Sequence, residues 1–343
     1  MTDLSQIAKA LKKKYTSSRI AESEKDKLEY ISTGNIAFDL ISDGGIPFGF
    51  STEFLGLSQS GKSLYIQQII ANAQSKYDAV GILADRENAY SKPMGEKLGI
   101  NNSNLLVAKP ADIPTPYDGF SFIIDSIKLV RQHFKDRYIV VGLDSVSAFS
   151  KDVDLAKSDS GRKAKAIHEG MRELLTFIDD KIAIVIANQV TYKISITWGD
   201  PKTSTAGESL KYYSTMRFSL EERRLIVDPA QNNEVVGAWL GIECMKTRLG
   251  PCHRACYLPV FYESGIDPYG GYARLLAHRG YLVPKNKSTF KSFNSVTLQY
   301  GDETVNEFRM ESFLEKHPEL LFESYPEFNP NHIVTIEEEE DED

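Results

Sequence analysis

Cysteine is scarce in this chain of 343 residues: there are three, Cys244, Cys252 and Cys256. An odd number at spacings of eight and four fits neither a disulfide framework nor a usual zinc pattern. The thiols read as reduced, which points to a cytosolic setting. Long apolar runs are missing too, none approaching the ~20 residues that span a bilayer. The opening MTDLSQIAKALKKKY lacks the apolar core of a secretory signal. The expected location is therefore the cytoplasm. A basic excess is also absent, since the net charge is −8. Seven of the negative charges, however, fill the last seven positions, Glu337 to Asp343, and the rest of the chain is nearly neutral. Net charge thus excludes no polyanionic partner, because the footprint for one is local. The acidic run reads either as a solvated tail or as a regulatory segment that competes with DNA phosphates for a basic groove.

What is present is enough for a sizeable core, with 41% hydrophobic residues and no internal repeat. Residues 3–14 predict a basic amphipathic helix with Leu4, Ile7, Ala8 and Leu11 on one face. A polar stretch, SSRIAESEKDK, follows as a linker. Such a detached helix needs a surface, either its own domain or a neighbouring subunit. From about Ile31 short apolar runs alternate with amphipathic segments. Strands are expected at Thr52–Leu55, 79–85, 105–110, 138–144 and 182–189, with helices from Lys62, near 118–134 and near 162–179. The pattern predicts an α/β fold with a mixed, mainly parallel sheet covered on both faces. Function should gather at the carboxyl ends of its strands. Further strands near 214–220, 236–247 and 256–262 have short connections suited to antiparallel pairing, and Phe313–Phe322 predicts a helix. The division is an N-terminal helix and linker for oligomerisation (1–30), a core (31–285), a small C-terminal region (286–336) and the acidic tail (337–343).

Gly56-Leu-Ser-Gln-Ser-Gly61-Lys62-Ser63 follows a strand and opens a helix, the context a Walker A loop requires. Backbone N–H groups from Gly56, Ser58, Gln59, Ser60, Gly61 and Leu64 would curl around phosphates, Lys62 would meet β/γ oxygens, and Ser63 would hold Mg²⁺. Asp144 ends an apolar strand as a Walker B carboxylate would. Glu87, just past the strand ending at Asp85, is the candidate general base, with a helix-capping acid as the plain alternative. Asn188 and Gln189 close another apolar strand, and an amide buried there needs a partner such as a γ-phosphate or its attacking water.

Taken in order, ISTGNIAFD (31–39), the P-loop, ADRENA (84–89), LDSVSA (143–148), ANQV (187–190), STAGESLKYYSTMRFSL (204–220) and MKTRLGP (245–251) resemble the RecA family of strand-exchange recombinases. Near Gly265-Ile-Asp-Pro-Tyr-Gly270 the chain looks most like the family's phage UvsX type. The resemblance spans roughly residues 31–283. It implies a RecA-like P-loop ATPase core using ATP and Mg²⁺, hydrolysis dependent on single-stranded DNA, and helical filaments that pair this strand with homologous duplex DNA. A single-strand-binding protein and a loading mediator are implied as partners. By position, Glu87 looks like the catalytic glutamate, Gln189 like the γ-phosphate sensor, and Lys246 with Arg248 like the cations offered to a neighbour's ATP. Lys211, Tyr212 and Arg217 resemble subunit-coupling positions. The family's DNA loops correspond to about 151–162 and 192–207. Lys165, His168 and Arg172 share one helical face that could track phosphates. In the second loop Ile194 could wedge between bases, Trp198 could stack, and Ala206 and Gly207 could offer backbone groups. Departures are Met94 where RecA stacks a tyrosine on adenine, Ser91 for an aspartate, Ala206 for the first glycine of a pair, and Glu208. Tyr262 matches a second base-contacting tyrosine. A RecA-like regulator without strand exchange, a ring-forming helicase and a small-molecule kinase are the rival readings. The regulator should lack filaments, the helicase should close rings, and the kinase should carry an acceptor pocket.

Overall fold

The computed structural model describes residues 4–13, 28–149, 160–192, 202–204, 209–228, 232–284 and 297–323. The first element, α1 (Leu4–Lys12), leaves Ile7 and Leu11 each 45% exposed. A two-stranded ribbon of β1 (Tyr30–Ile31) and β2 (Ile46–Pro47) brackets α2 (Ile36–Ile41), whose N-terminus is capped by the Asn35 side chain accepting from Phe38 N. The core then alternates strand and helix: β3 (Ser51–Gly56), α3 (Lys62–Tyr77), β4 (Val80–Asp85), α4 (Lys92–Lys97), β5 (Leu105–Ala108), α5 (Pro116–His133), β6 (Ile139–Asp144), α6 (Ser160–Leu174) and β7 (Ile182–Tyr192). Next come β8 (Lys202–Ser204), α7 (Ser209–Tyr213), β9 (Met216–Asp228), β10 (Glu234–Lys246), β11 (Ala255–Phe261) and β12 (Gly265–Ile266).

These strands form one sheet in the order β12-β11-β10-β9-β3-β7-β6-β4-β5, with β8 pairing β7. The run from β5 to β9 is parallel, and β9 to β12 pair antiparallel, so the sheet is mixed as expected. The continuous apolar runs arise because both faces are covered. Along β7, Ile182, Ile184 and Ile186 enter the core beneath α5 and α6, while Ala183, Val185 and Ala187 enter the one beneath α2 and α3. Helix α5 begins where sequence chemistry says it should, on a reciprocal cap between Thr115 and Asp118. The helix expected to reach residue 179 stops at Leu174 and continues as a 3-10 turn, Leu175–Phe177.

The chain ends in α8 (Tyr272–His278), β13 (Val283–Pro284), β14 (Thr297–Tyr300), β15 (Glu303–Asn306), α9 (Met310–Lys316) and α10 (Glu319–Glu323). The three strands make a small antiparallel sheet that takes in Val283–Pro284. Its Leu298 and Val305, with Phe313 of α9, pack on Tyr272 and Leu276 of α8 and on Leu40 of α2. Arg274 fastens the two parts, bonded to buried Glu307 and lying 4.7 Å over the Trp239 ring. The single helix expected over 313–322 is two helices. Pro318 has no N–H and disfavours helical backbone at His317, so α9 ends before it. No helix among the described residues is long and apolar enough to cross a membrane.

Candidate functional site

At the carboxyl end of β3 the backbone turns within six residues into α3. Gly56 and Gly61 permit this: a Cβ on Gly56 would lie 2.3 Å from Leu220 O, and Gly61 takes φ of 84° at the helix N-cap. Lys62 opens the helix and folds back over the loop, its ammonium donating to Gly56 O (3.1 Å), Leu57 O (2.5 Å) and Ser60 Oγ (3.2 Å). Burial lowers its pKa, with Glu87 and Asp144 pulling it back up. Those acceptors are oxygens that phosphates could replace. Ser58 and Gln59 stand exposed at the loop tip, while Ser63 and Leu64 are half-buried on the first turn.

Two strands away, Asp144 is 3% exposed. Burial pushes its carboxyl up to about 6, and the neighbouring Ser63 hydroxyl draws it down. Its Oδ1 is buried without a hydrogen-bond partner. An orphaned carboxylate oxygen beside a serine hydroxyl is a hard-oxygen pair, and it suits Mg²⁺. Asp85 accepts Ala89 N (2.9 Å) and Tyr90 N (3.0 Å), while Arg86 N and Glu87 N donate to Asp144 O. That double tether holds the exposed Glu87 at the rim of the site. The Ser145 hydroxyl donates to Glu87 Oε1, which also accepts Gln189 Nε2 at 2.9 Å. The structure therefore gathers Lys62, Ser63, Glu87, Asp144 and Gln189 at one sheet edge.

Behind this edge runs a buried network that sequence reasoning missed. Glu53 on β3, 0% exposed, accepts Asn188 Nδ2 at 2.7 Å and pairs with Arg217 Nε on β9. A lone carboxylate in the apolar run STEFLG was the available signal. A charge there is tolerable only when paired and hydrogen-bonded, as it is. Beyond Arg217, Lys246 donates to Lys211 O (2.6 Å) and Ser214 O (2.7 Å), and Arg248 to Tyr212 O (2.8 Å). Both cations thus close the carbonyl end of α7 instead of reaching their own P-loop. Burial, then the nearby Arg248 and Arg217, lower the pKa of Lys246.

Residues 1–267 match the family model described as the RecA N-terminal domain. The chain belongs to the RecA family. It is 30% identical to protein RecA of Gluconobacter oxydans over 326 residues, 93% of this chain and 88% of that protein. Protein RecA of Caulobacter sp. is 30% identical over 296 residues, 84% and 79% of the two chains. Protein RecA of Thermus thermophilus is 28% identical over 329 residues, 93% and 91%.

In this RecA-family chain, Met94 is half-buried on α4 and Tyr262 is 59% exposed beyond β11. The turn carrying Tyr262 leads into β12, where a Cβ on Gly265 would meet Leu98, the residue that ends α4, at 3.6 Å. Ser91 caps α4 by accepting from Met94 N. Lys165, His168 and Arg172 are all exposed on α6, as their spacing predicts. Lys165 pairs with Glu169, and His168 contacts Tyr213. Tyr212 is 67% exposed and Lys211 exposed, whereas Arg217 is buried in the ion pair with Glu53. Ile194, Trp198, Ala206, Gly207, Glu208 and the acidic tail lie outside the described residues, as does most of the first DNA loop.

Proposed function

We propose that the protein is an ATP-dependent strand-exchange recombinase that forms helical filaments on single-stranded DNA, serving homologous recombination and recombination-dependent repair or replication. The observation that carries the reading is the convergence of Lys62, the Ser63–Asp144 pair with its unpartnered oxygen, and Glu87 bonded to Gln189. In this reading ATP is the substrate, and Ser63 and Asp144 hold Mg²⁺, which neutralises charge on the phosphate oxygens when bound. Lys62 orients the phosphates, Glu87 takes the proton of the attacking water, and Gln189 reports the γ-phosphate. Met94 and Tyr262 flank the base.

Lys246 feels Arg248, Arg217 and Lys211 as nearby like charges and Glu53 as the opposing one, which leaves a cation-rich cluster in want of an anion. A neighbour's triphosphate would supply it, with the α7 carbonyls released in exchange and Lys211 and Tyr212 moved with them. A head-to-tail contact of this kind that does not close yields an open filament. The uncovered Ile7 and Leu11 support docking of α1 on the next subunit. Under this proposal residues 1–30 are the oligomerisation arm, 31–285 the ATPase core, 286–336 an appended region and 337–343 a regulatory tail. DNA runs past Lys165, His168 and Arg172 and the loop carrying Ile194, Trp198, Ala206 and Gly207. Homologous duplex, a single-strand-binding protein and a loading mediator complete the partners. Kinship with the phage UvsX type rests on the Gly265–Gly270 segment and belongs to this proposal.

The test is ATP hydrolysis with and without single-stranded DNA, on protein viewed by negative-stain electron microscopy in the same buffer. Strong stimulation with helical filaments is expected. Closed rings would favour a helicase, and neither stimulation nor assembly would favour a regulator.

A further inference from the structure

Lys163 sits in the first turn of α6 and is 8% exposed. Its ammonium donates to Ser147 O (2.6 Å) and Phe149 O (2.9 Å), carbonyls at the end of the short 3-10 turn that follows β6. A buried lysine is costly unless its donors are used, so this contact clamps helix to turn. The same turn reaches the hydrolysis site. Ser147 Oγ accepts Gln189 N at 2.7 Å and donates to Asn188 Oδ1 at 3.1 Å. Gln189 in turn donates its side-chain amide to Glu87 Oε1 at 2.9 Å. A chain of hydrogen-bonded residues therefore runs Glu87–Gln189–Ser147–Lys163, linked through the covalent frames of Gln189 and Ser147, and ends on the helix whose outer face presents Lys165, His168 and Arg172. The clamp joins α6 directly to the residues after β6.

We infer that Ser147 and Lys163 are positioning residues that transmit the nucleotide state at Gln189 to the orientation of α6, and so to DNA affinity. The inference rests on the proposed function. If Gln189 shifts when a γ-phosphate is present, its backbone N–H moves the Ser147 hydroxyl, and the clamp moves a rigid helix rather than a lone side chain. By linkage, the helix position set by DNA returns the same coupling to the nucleotide.

The experiment measures fluorescence anisotropy of a labelled single-stranded oligonucleotide with the full chain, in Mg²⁺ with ADP and in Mg²⁺ with a non-hydrolysable ATP analogue. The readout is the ratio of the two dissociation constants. Ser147→Ala and Lys163→Met are each expected to shrink the wild-type ratio about tenfold, the order of worth of one hydrogen bond, neutral at Ser147 and charge-assisted at Lys163. The double variant should lose no more than either single one, because each breaks the same chain. Lys163→Arg, which keeps the donors, should retain most of the ratio. A merely structural role would weaken both dissociation constants alike and leave the ratio intact. An unchanged ratio in Ser147→Ala, or additive losses in the double variant, overturns the inference. Ser147→Ala removes one oxygen and carries the test alone if Lys163→Met does not fold. A wild-type protein with no nucleotide dependence and no DNA-stimulated hydrolysis would instead sink the proposed function itself.

Discussion

Glu87 is held from three directions, by Ser145, by Gln189 and through its own backbone N–H on Asp144 O. Glu87→Gln preserves size and most of these contacts while removing the base. ATP and DNA binding should persist while turnover falls about 100-fold or more, the usual worth of general-base catalysis. Normal hydrolysis in that variant would remove Glu87 from the mechanism. Asp39, in the segment ISTGNIAFD, has a structural part. Its carboxylate accepts Thr33 N and Thr33 Oγ1, both at 2.7 Å, and the Ser32 hydroxyl. Burial nonetheless pushes it up to about 6, the hydrogen bonds opposing. The folded value lies above the unfolded ~3.9, so this group's stability is fully present below about pH 4 and is lost as pH rises through 6. Asp39→Asn should therefore gain on the wild type by roughly 2–3 kcal/mol between about pH 4 and pH 7 in denaturant titrations. A gap independent of pH would show that the carboxyl does not titrate there.

Elements pack with little slack. Helices α5 and α6 approach where Gly170 faces the buried Phe120 ring, and a Cβ on Gly170 would lie 2.2 Å from Phe120 Cδ2. Gly170→Ala gains up to ~1 kcal/mol in helix propensity, yet overpacking costs ~1–3 kcal/mol. A net destabilisation of up to ~2 kcal/mol is expected in urea unfolding. A more stable variant would mean that the helices part easily. At this scale the strands and helices of the core were readable because apolar runs and the Thr115–Asp118 cap are local signals. The break at Pro318 was equally local, but the apolar pattern from Phe313 to Phe322 continues across it.

For the whole molecule, charge placement matters more than net charge. Deleting Glu337–Asp343 should raise affinity for single-stranded DNA several-fold at low salt, with the difference fading as salt screens the tail. Equal affinities at low salt would take the tail out of the mechanism. By itself the sequence determined the glycine loop between β3 and α3, the apolar strand ending at Asp144, the exposed basic face of α6 and the α/β class, because each depends on neighbours a few positions apart. Tertiary structure alone decided that Glu53 finds Arg217 and Asn188, that Lys246 and Arg248 rest on α7, and that Ser147 joins Gln189 to Lys163. Those partnerships hang on which strands lie side by side and in what register. A buried polar side chain advertises its need for a partner, and only the folded sheet says which one it meets.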